Sequence, residues 1–384
     1  MHQRLTRQSL AELTAFTSAP CLSLYQPTHR AHPDNQQDLL RFEQGLETLE
    51  LSLKKQYSAE ETRTLLAPFR ALADAPDFWN HTLDGLAVLG GPNLFRVFML
   101  ARPVGELAVV ADSFHTKPLR RVLQSDSRYQ VLGLSRQTVR LFEGDRDTLS
   151  EIELVSGVPQ TVDQALGDQL SQAHHAVGSY GGVGGASTPM HHGHGGKKDE
   201  IDKDAERFFR VVDRAVIEHY SKPSGLPLIL AALPEHHHLF HKISHNSQLL
   251  AASIDGSPDA MSLEQLCQKA WQTIEPQYLA QQAQWVEEFG LARSRGLGSD
   301  SLTEVAQAAA QGRVSRLLIE AQRQIPGNLE TSSGVITHAQ LKNPQVDDLL
   351  DDLGELVEAM GGQVHVLPSQ RMPSDTGLAA TYRH

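Results

Sequence analysis

The run "LPLILAAL" (226–233) constrains the fold most. Eight apolar residues fall far short of the roughly 20 that a helix needs to cross a bilayer, so the run reads as one buried strand. Phe208, Val211, Val212, Ala215 and Val216 precede it at helical spacing, and "KPSG" ends that helix near 222–225. "EHHHLFHKISHN" (235–246) starts another helix after it. The same alternation holds elsewhere. "CLSLYQPT" (21–28) is a strand ended by Pro27, and Leu39, Phe42, Leu46, Leu49 and Leu53 form one helical stripe. "DGLAVLGG" (84–91) and "LFRVFML" (94–100) are strands joined by a Gly-Pro-Asn turn, and "GELAVVADSF" (105–114) is a further strand. "YQVLGLS" and "TVRLFEG" make a hairpin with Arg136 and Gln137 at its turn, and "SEIELVS" (150–156) is placed to pair with it. The fold class expected is α/β.

At 384 residues the chain holds two or three domains. Its last part opens on a long helix carrying Leu263, Leu266, Ala270 and Ile274, then gives helix "TEVAQAAAQG" and strand "VSRLLIEAQ" (314–322). A variable loop is expected over 326–345. Helix 346–360, with Val346, Leu349, Leu350, Leu353, Leu356, Val357 and Met360, stops at Gly361-Gly362. Strands "QVHVLP" and "GLAATYR" follow, so this part reads as an α/β/α sandwich.

A formal charge of −12 excludes a protein coated in basic surface, so any nucleic acid must be met through local patches. Two cysteines, Cys21 and Cys267, cannot make a disulfide framework, which fits a reducing cytosol. Glu12 interrupts the N-terminal run before an apolar core forms, so no secretory signal is expected. The protein is expected in the cytoplasm, with no membrane partner.

Between about Gly157 and Gly196 periodicity is lost, and then "HHGHGGKKDEIDKDAERFF" (191–209) enters a helix whose start is crowded with acids. Such long loops are functional or disordered. One reading is a solvated linker. Another is an anion site, since Gly195-Gly196 frees backbone N–H groups beside Lys197 and Lys198, although no phosphate-loop motif occurs. A third is a metal, because residues 171–245 hold histidines 174, 175, 191, 192, 194, 219, 236, 237, 238, 241 and 245. His237 and His241, at i and i+4, share a helix face. No cysteine partner and no H-E-x-x-H pattern accompanies them, so no metal and no cofactor are expected. Nucleophilic catalysis has no local motif, and the catalytic residues stay unknown.

Taken in order, "CLSLYQPT", the helix after it and "DGLAVLGG" resemble the first domain of archaeo-eukaryotic class 1 release factors and Pelota. "ADSFHTKPLRRVLQSDSRYQVLGLSRQTVRLFEGD" (111–145) resembles the junction into their central domain, and "LGELVEAMGGQVHVLPSQRMPSDTGLAATYR" (353–383) is similar to the end of their third. The chain is identified as a bacterial member of that superfamily. The resemblance implies three domains: 1–125 N-terminal, 126–262 RNase H-like with the loop 157–198, and 263–384 of the kink-turn-binding ribosomal protein type. In the family a loop ending in Gly-Gly-Gln positions water at the ester of peptidyl-tRNA. Here Gly195-Gly196 is followed by Lys197, which only donates and cannot copy an amide's two roles. The Asn-Ile-Lys-Ser run used near stop codons is missing as well.

The resemblance therefore implies a ribosome-binding translation factor that occupies the A site in hibernation or rescue. A peptidyl-tRNA hydrolase using the altered Gly-Gly-Lys loop is the alternative, and a metal- or pH-responsive binder a third. The implied partners are the ribosome, at its rRNA, A site and peptidyl-transferase region, and a translational GTPase. The implied contact loop is His191, His192, Gly193, His194, Gly195, Gly196, Lys197 and Lys198. A basic patch is expected from "HTKPLRR" (115–121), that is Lys117, Arg120 and Arg121, together with Arg128, Arg136 and Arg140.

Overall fold

The computed structural model describes residues 3, 5–30, 33–124, 128–167, 194–339 and 347–384, with backbone alone for 194–201. The chain divides into two compact units, one of residues 1–126 and 279–384, the other of residues 127–278.

The N-terminal part of the first unit holds α1 (Arg7–Thr14), β1 (Cys21–Pro27), α2 (Asp38–Leu53), α3 (Ala59–Ala73), α4 (Pro76–Trp79), β2 (Gly85–Gly91), β3 (Leu94–Leu100), β4 (Leu107–Ala111) and α5 (Lys117–Gln124). Its strands form one antiparallel sheet in the order β3-β2-β1-β4. Leucines and aromatics of α2, α3 and α4, including Phe42, Leu49, Phe69 and Trp79, pack on Leu22, Leu24, Leu86 and Val88 of one face. Leu13, Phe114 and Leu119 cover the other face against Tyr25, Ala87 and Phe98. Both faces of β1 are therefore dry, which is why its burial runs unbroken rather than alternating.

The second unit holds β5 (Tyr129–Leu134), β6 (Val139–Gly144), β7 (Leu149–Ile152), α6 (Val162–Leu166), α7 (His194–Val216), α8 (Lys222–Ser224), β8 (Leu228–Ala232), α9 (Pro234–Ile243) and β9 (Leu249–Asp255). The sheet order is β7-β6-β5-β8-β9. The first three strands are antiparallel, and β5, β8 and β9 are parallel. Every residue of β8 is buried. One side of the sheet packs on Phe208, Phe209, Val212 and Val216 of α7 and Phe240 and Ile243 of α9. The other packs on Leu266, Cys267, Ala270, Trp271 and Ile274 at the start of α10 (Leu263–Ser294). The expected apolar stripe on α7 needs one correction. Phe209 is buried edge-on against Phe240 and His236, whereas Val211 is exposed.

A π turn (Ile217–Ser221) separates α7 from α8, and Gly225 then ends the helix at φ +64°. Any side chain pays a left-handed penalty there. Gly225→Ala is expected to cost about 1 kcal/mol, read as a lower urea midpoint in Trp271 fluorescence; an unchanged midpoint refutes it.

From Leu279 the chain returns to the first unit. There lie β10 (Gly298–Ser299), α11 (Leu302–Ala310), β11 (Val314–Glu320), β12 (Pro326–Glu330), β13 (Val335–His338), β14 (Asp347–Asp348), α12 (Leu349–Ala359), β15 (Gln363–Leu367) and β16 (Leu378–Tyr382). The sheet β10-β16-β11-β15 carries α11 and α12 on one face and Phe289 of α10 on the other. The residues expected as a variable loop at 326–345 include an antiparallel hairpin, β12 with β13, turned at Gly334 with φ +72°. Its strands are largely exposed and polar, so no apolar alternation marks them. The expected boundary at 262/263 falls where α10 begins, and the first turns of that helix fill the core of the central unit.

Candidate nucleic-acid interface

Of the expected contact loop, His191, His192 and Gly193 lie outside the described residues. His194, Gly195, Gly196, Lys197 and Lys198 are not loop: their backbone forms the first turn of α7. The loop expected over 157–198 also contains α6, capped by the Thr161 hydroxyl accepting from the Gln164 N–H. The N–H groups of the first turn of α7 have no intrahelical acceptor, and the acids that follow in sequence favour the positive helix end.

The expected basic patch is not assembled. Lys117 and Arg120 are 1% and 2% exposed. They belong to a buried network that joins α5 to β14 and α12. Lys117 Nζ donates to Asp348 and to the Arg323 carbonyl, and Arg120 donates to Glu358. The Thr116 N–H donates to Asp351 (2.6 Å) and the Ser113 hydroxyl to Asp347 (2.5 Å). His115 lies 3.8 Å from Asp351 and 3.9 Å from Asp347. Gln124 donates to the Val364 carbonyl (2.5 Å) and accepts from the Val366 N–H (2.6 Å). Cations this deep cannot meet RNA; they answer carboxylates.

Arg121 is exposed on the same helix. Arg128 is held by Glu143. Arg136 sits 3.3 Å from Asp202 and 3.4 Å from Glu235. Arg140 donates to both oxygens of Glu151 (2.8 and 2.6 Å) and to Asp259 (3.2 Å). Arg128, Arg136 and Arg140 are thus largely neutralised in place.

A cleft of 860 Å³ opens beside the buried network, with Asp112, Asp347, Asp352, Glu355 and Glu358 on its wall. Burial raises Glu355 to about 8, with Asp351 adding to the shift, and Asp352 is raised well above its ordinary range by burial and then by Asp347. Glu355 and Asp352 therefore hold protons near neutral pH.

The histidines of α9 have ordinary structural partners. His237 Nε2 meets the Ala232 carbonyl and His241 Nε2 the Ser253 hydroxyl, each at 2.8 Å. Burial lowers the pKa of His236 and His241. Among the described residues, no three His, Cys, Asp or Glu side chains are grouped to hold a metal ion. Both cysteines are buried, and burial pushes the Cys21 thiol up to about 12. Neither is poised as a nucleophile.

Sequence reasoning missed the exposed face of α7, where Arg207, Arg210 and Arg214 lie. Their spacing of three, four and seven was the available signal.

Comparison with solved structures aligns the chain with three translation proteins. The crystal structure of the archaeal translation termination factor aRF1 is 17% identical over 99% of each chain, at a TM-score of 0.26. A model of ribosome-bound archaeal Pelota and ABCE1 is 11% identical over 100% of this chain and 95% of that one, at 0.40. Dom34 of S. cerevisiae, a translation termination-like factor involved in RNA quality control and interacting with Hbs1, is 13% identical over 77% and 74%, at 0.33. No curated relative matches the sequence. Residues 128–313 match the family model described as bacterial archaeo-eukaryotic release factor family 3.

Proposed function

We propose that this protein is a ribosome-binding translation factor that occupies the A site of idle or stalled ribosomes without hydrolysing peptidyl-tRNA. The carrying observation is that the family match begins at Arg128 and spans the Gly195-Gly196-Lys197 sequence. The superfamily's hydrolytic amide is replaced there by an ammonium group. An amide orients a water by donating and accepting at once; an ammonium has no acceptor. The backbone of Gly195 and Gly196 is helical. No helix among the described residues is long and apolar enough to cross a membrane, and the proposed site of action is the cytoplasm. Delivery by a translational GTPase belongs to the same proposal.

The test joins binding to chemistry. The natural protein is expected to co-sediment with bacterial ribosomes and to leave peptidyl-tRNA intact. Lys197→Gln restores the superfamily's Gly-Gly-Gln and is expected to gain hydrolysis while binding as before. Brisk hydrolysis by the natural protein would establish the hydrolase instead. Failure to co-sediment would end the A-site reading.

A further inference from the structure

We propose that the exposed face of α7, with the π turn after it, is a docking groove for the phosphate backbone of RNA. This inference rests on the ribosome-binding reading and names the surface that makes the contact. A groove of 410 Å³ is lined by Arg210, Arg214, Lys222 and His245, with Glu218 as an exposed carboxylate on its wall. Asp213 also lines it, but that side chain is buried and its oxygens are taken by the Ser244 hydroxyl (2.6 Å) and the His245 N–H (2.9 Å). Arg210 leans back on Glu206 at 2.7 Å, and Arg207 lies 3.6 Å from Asp204. Arg214 and Lys222 are exposed and have no carboxylate partner among the described residues. Arg128, Arg136 and Arg140 of the same unit do have such partners.

The π turn brings the two free cations into line. Seven α-helical residues return to nearly the same angle, so Arg207 and Arg214 share a row with roughly 10 Å between them. Eight residues overshoot by about 80°, which would carry Lys222 off that row in a plain α-helix. The wider turn at Ile217–Ser221 absorbs one residue, so Lys222 follows Arg214 as though seven steps away. The distortion is anchored. Ser221 is buried, and its hydroxyl accepts from the Asn246 amide at 2.7 Å. Asn246 adjoins His245, so one hydrogen bond fixes both the turn and the far wall of the groove.

Charge decides what fits. A chain with a formal charge of −12 repels a polyanion unless cations are gathered locally. Arg207, Arg210, Arg214, Lys222, Lys242 and His245 are so gathered on and beside α7. Val211 is the exposed apolar residue among them, the groove's Ile217 and Ile243 being half-buried and buried, and a membrane surface would want a broader apolar face.

The experiment compares the natural protein with Arg214→Gln/Lys222→Gln, using a fluorescein-labelled RNA hairpin and bacterial ribosomes, each across a salt series. Both substitutions are exposed and helix-compatible. Hairpin affinity at low salt is expected to fall at least about tenfold, and the salt slope to fall by about 1.4–1.8, as for two lost phosphate contacts. Arg214→Lys/Lys222→Arg keeps the charges and is expected to keep the slope. An unchanged slope and affinity in the Gln variant overturns the groove. So does polyglutamate or an anionic vesicle competing as well as RNA, since that assigns the cations to another partner. The two readings fail separately. If natural protein and Gln variant co-sediment with ribosomes equally at every salt, the groove is refuted and the A-site reading stands. If neither co-sediments but the hairpin slope drops as expected, the groove stands without the A site. A natural protein that binds neither ribosome nor hairpin refutes both.

Discussion

Lys117→Met is expected to destabilise the first unit by about 3–5 kcal/mol, the range found when one partner of a buried ion pair is removed. Lys117 and Asp348 are each about 1% exposed in their side chains. Asp348 does three things at once. One oxygen caps α12 through the Leu350 N–H (3.2 Å) and accepts from the Ile325 N–H (2.9 Å), while the other faces Lys117. Methionine fills the volume of the lysine stem but strands that second oxygen among Asp347, Asp351 and Asp352. Asp348→Asn keeps an acceptor for the cap and loses the charge. The double variant is therefore expected to be more stable than the sum of the single effects by about 1–3 kcal/mol. Urea denaturation in a Trp271→Phe background reads this, because Trp79 and Trp285 both lie in the first unit. A loss under about 1 kcal/mol for Lys117→Met would show the pair to be dispensable.

That result bears on how the chain is read. "HTKPLRR" has the composition of a basic surface, and nothing within ten residues of it says otherwise. Its partners, Asp347 to Glu358, lie about 230 positions further on and meet it only when α12 folds onto α5. Local pattern carries secondary structure well: the stripes of α2 and α12 and the runs of β1, β5, β8 and β11 were legible because burial sets their period. It carries charge pairing poorly, since a paired and an unpaired arginine look alike in sequence. The hairpin β12–β13 was invisible for a related reason, its faces being wet. In α7 the spacing rule selected Val211 over Phe209, because the helix packs against α6 and α9 and its buried arc is displaced from the simplest stripe. The groove after α7 depends on a one-residue widening of the helix, which no period counted along the sequence reveals.

The same network sets an unusual direction for pH dependence. Asp347, Asp348, Asp351, Asp352, Glu355 and Glu358 face His115, Lys117 and Arg120, with Tyr25, Cys21 and Asp112 close by. Six carboxyls against three cations leave an excess that burial cannot solvate, so the cluster holds protons. Glu355 is raised to about 8, by burial first and Asp351 second. In the window from its ordinary value near 4.5 up to about 8, the folded protein keeps a proton that the unfolded chain has released, so stability falls as pH rises. Asp352 acts in the same direction. Burial disfavours the charged His115, but Asp351 and Asp347 outweigh it and raise its pKa. Its contribution is thus fully present below about 6.5 and lost as pH climbs through the raised value. The carboxyls of the first unit held below their usual range, Glu50 and Glu61, act only at lower pH and leave this window alone. The first unit is therefore expected to be more stable near pH 5 than near pH 9 by about 2 kcal/mol or more. Glu355→Gln is neutral at every pH and keeps an acceptor for the Thr116 hydroxyl, now 3.1 Å away. It is expected to flatten the slope and to be more stable than the natural protein at alkaline pH. Urea midpoints from Trp79 and Trp285 measure it, with Trp271 of the central unit as internal comparison. A midpoint that rises with pH across this window would mean that Glu355 is ionised in the folded protein and that the cations of α5 are sufficient to hold all six acids.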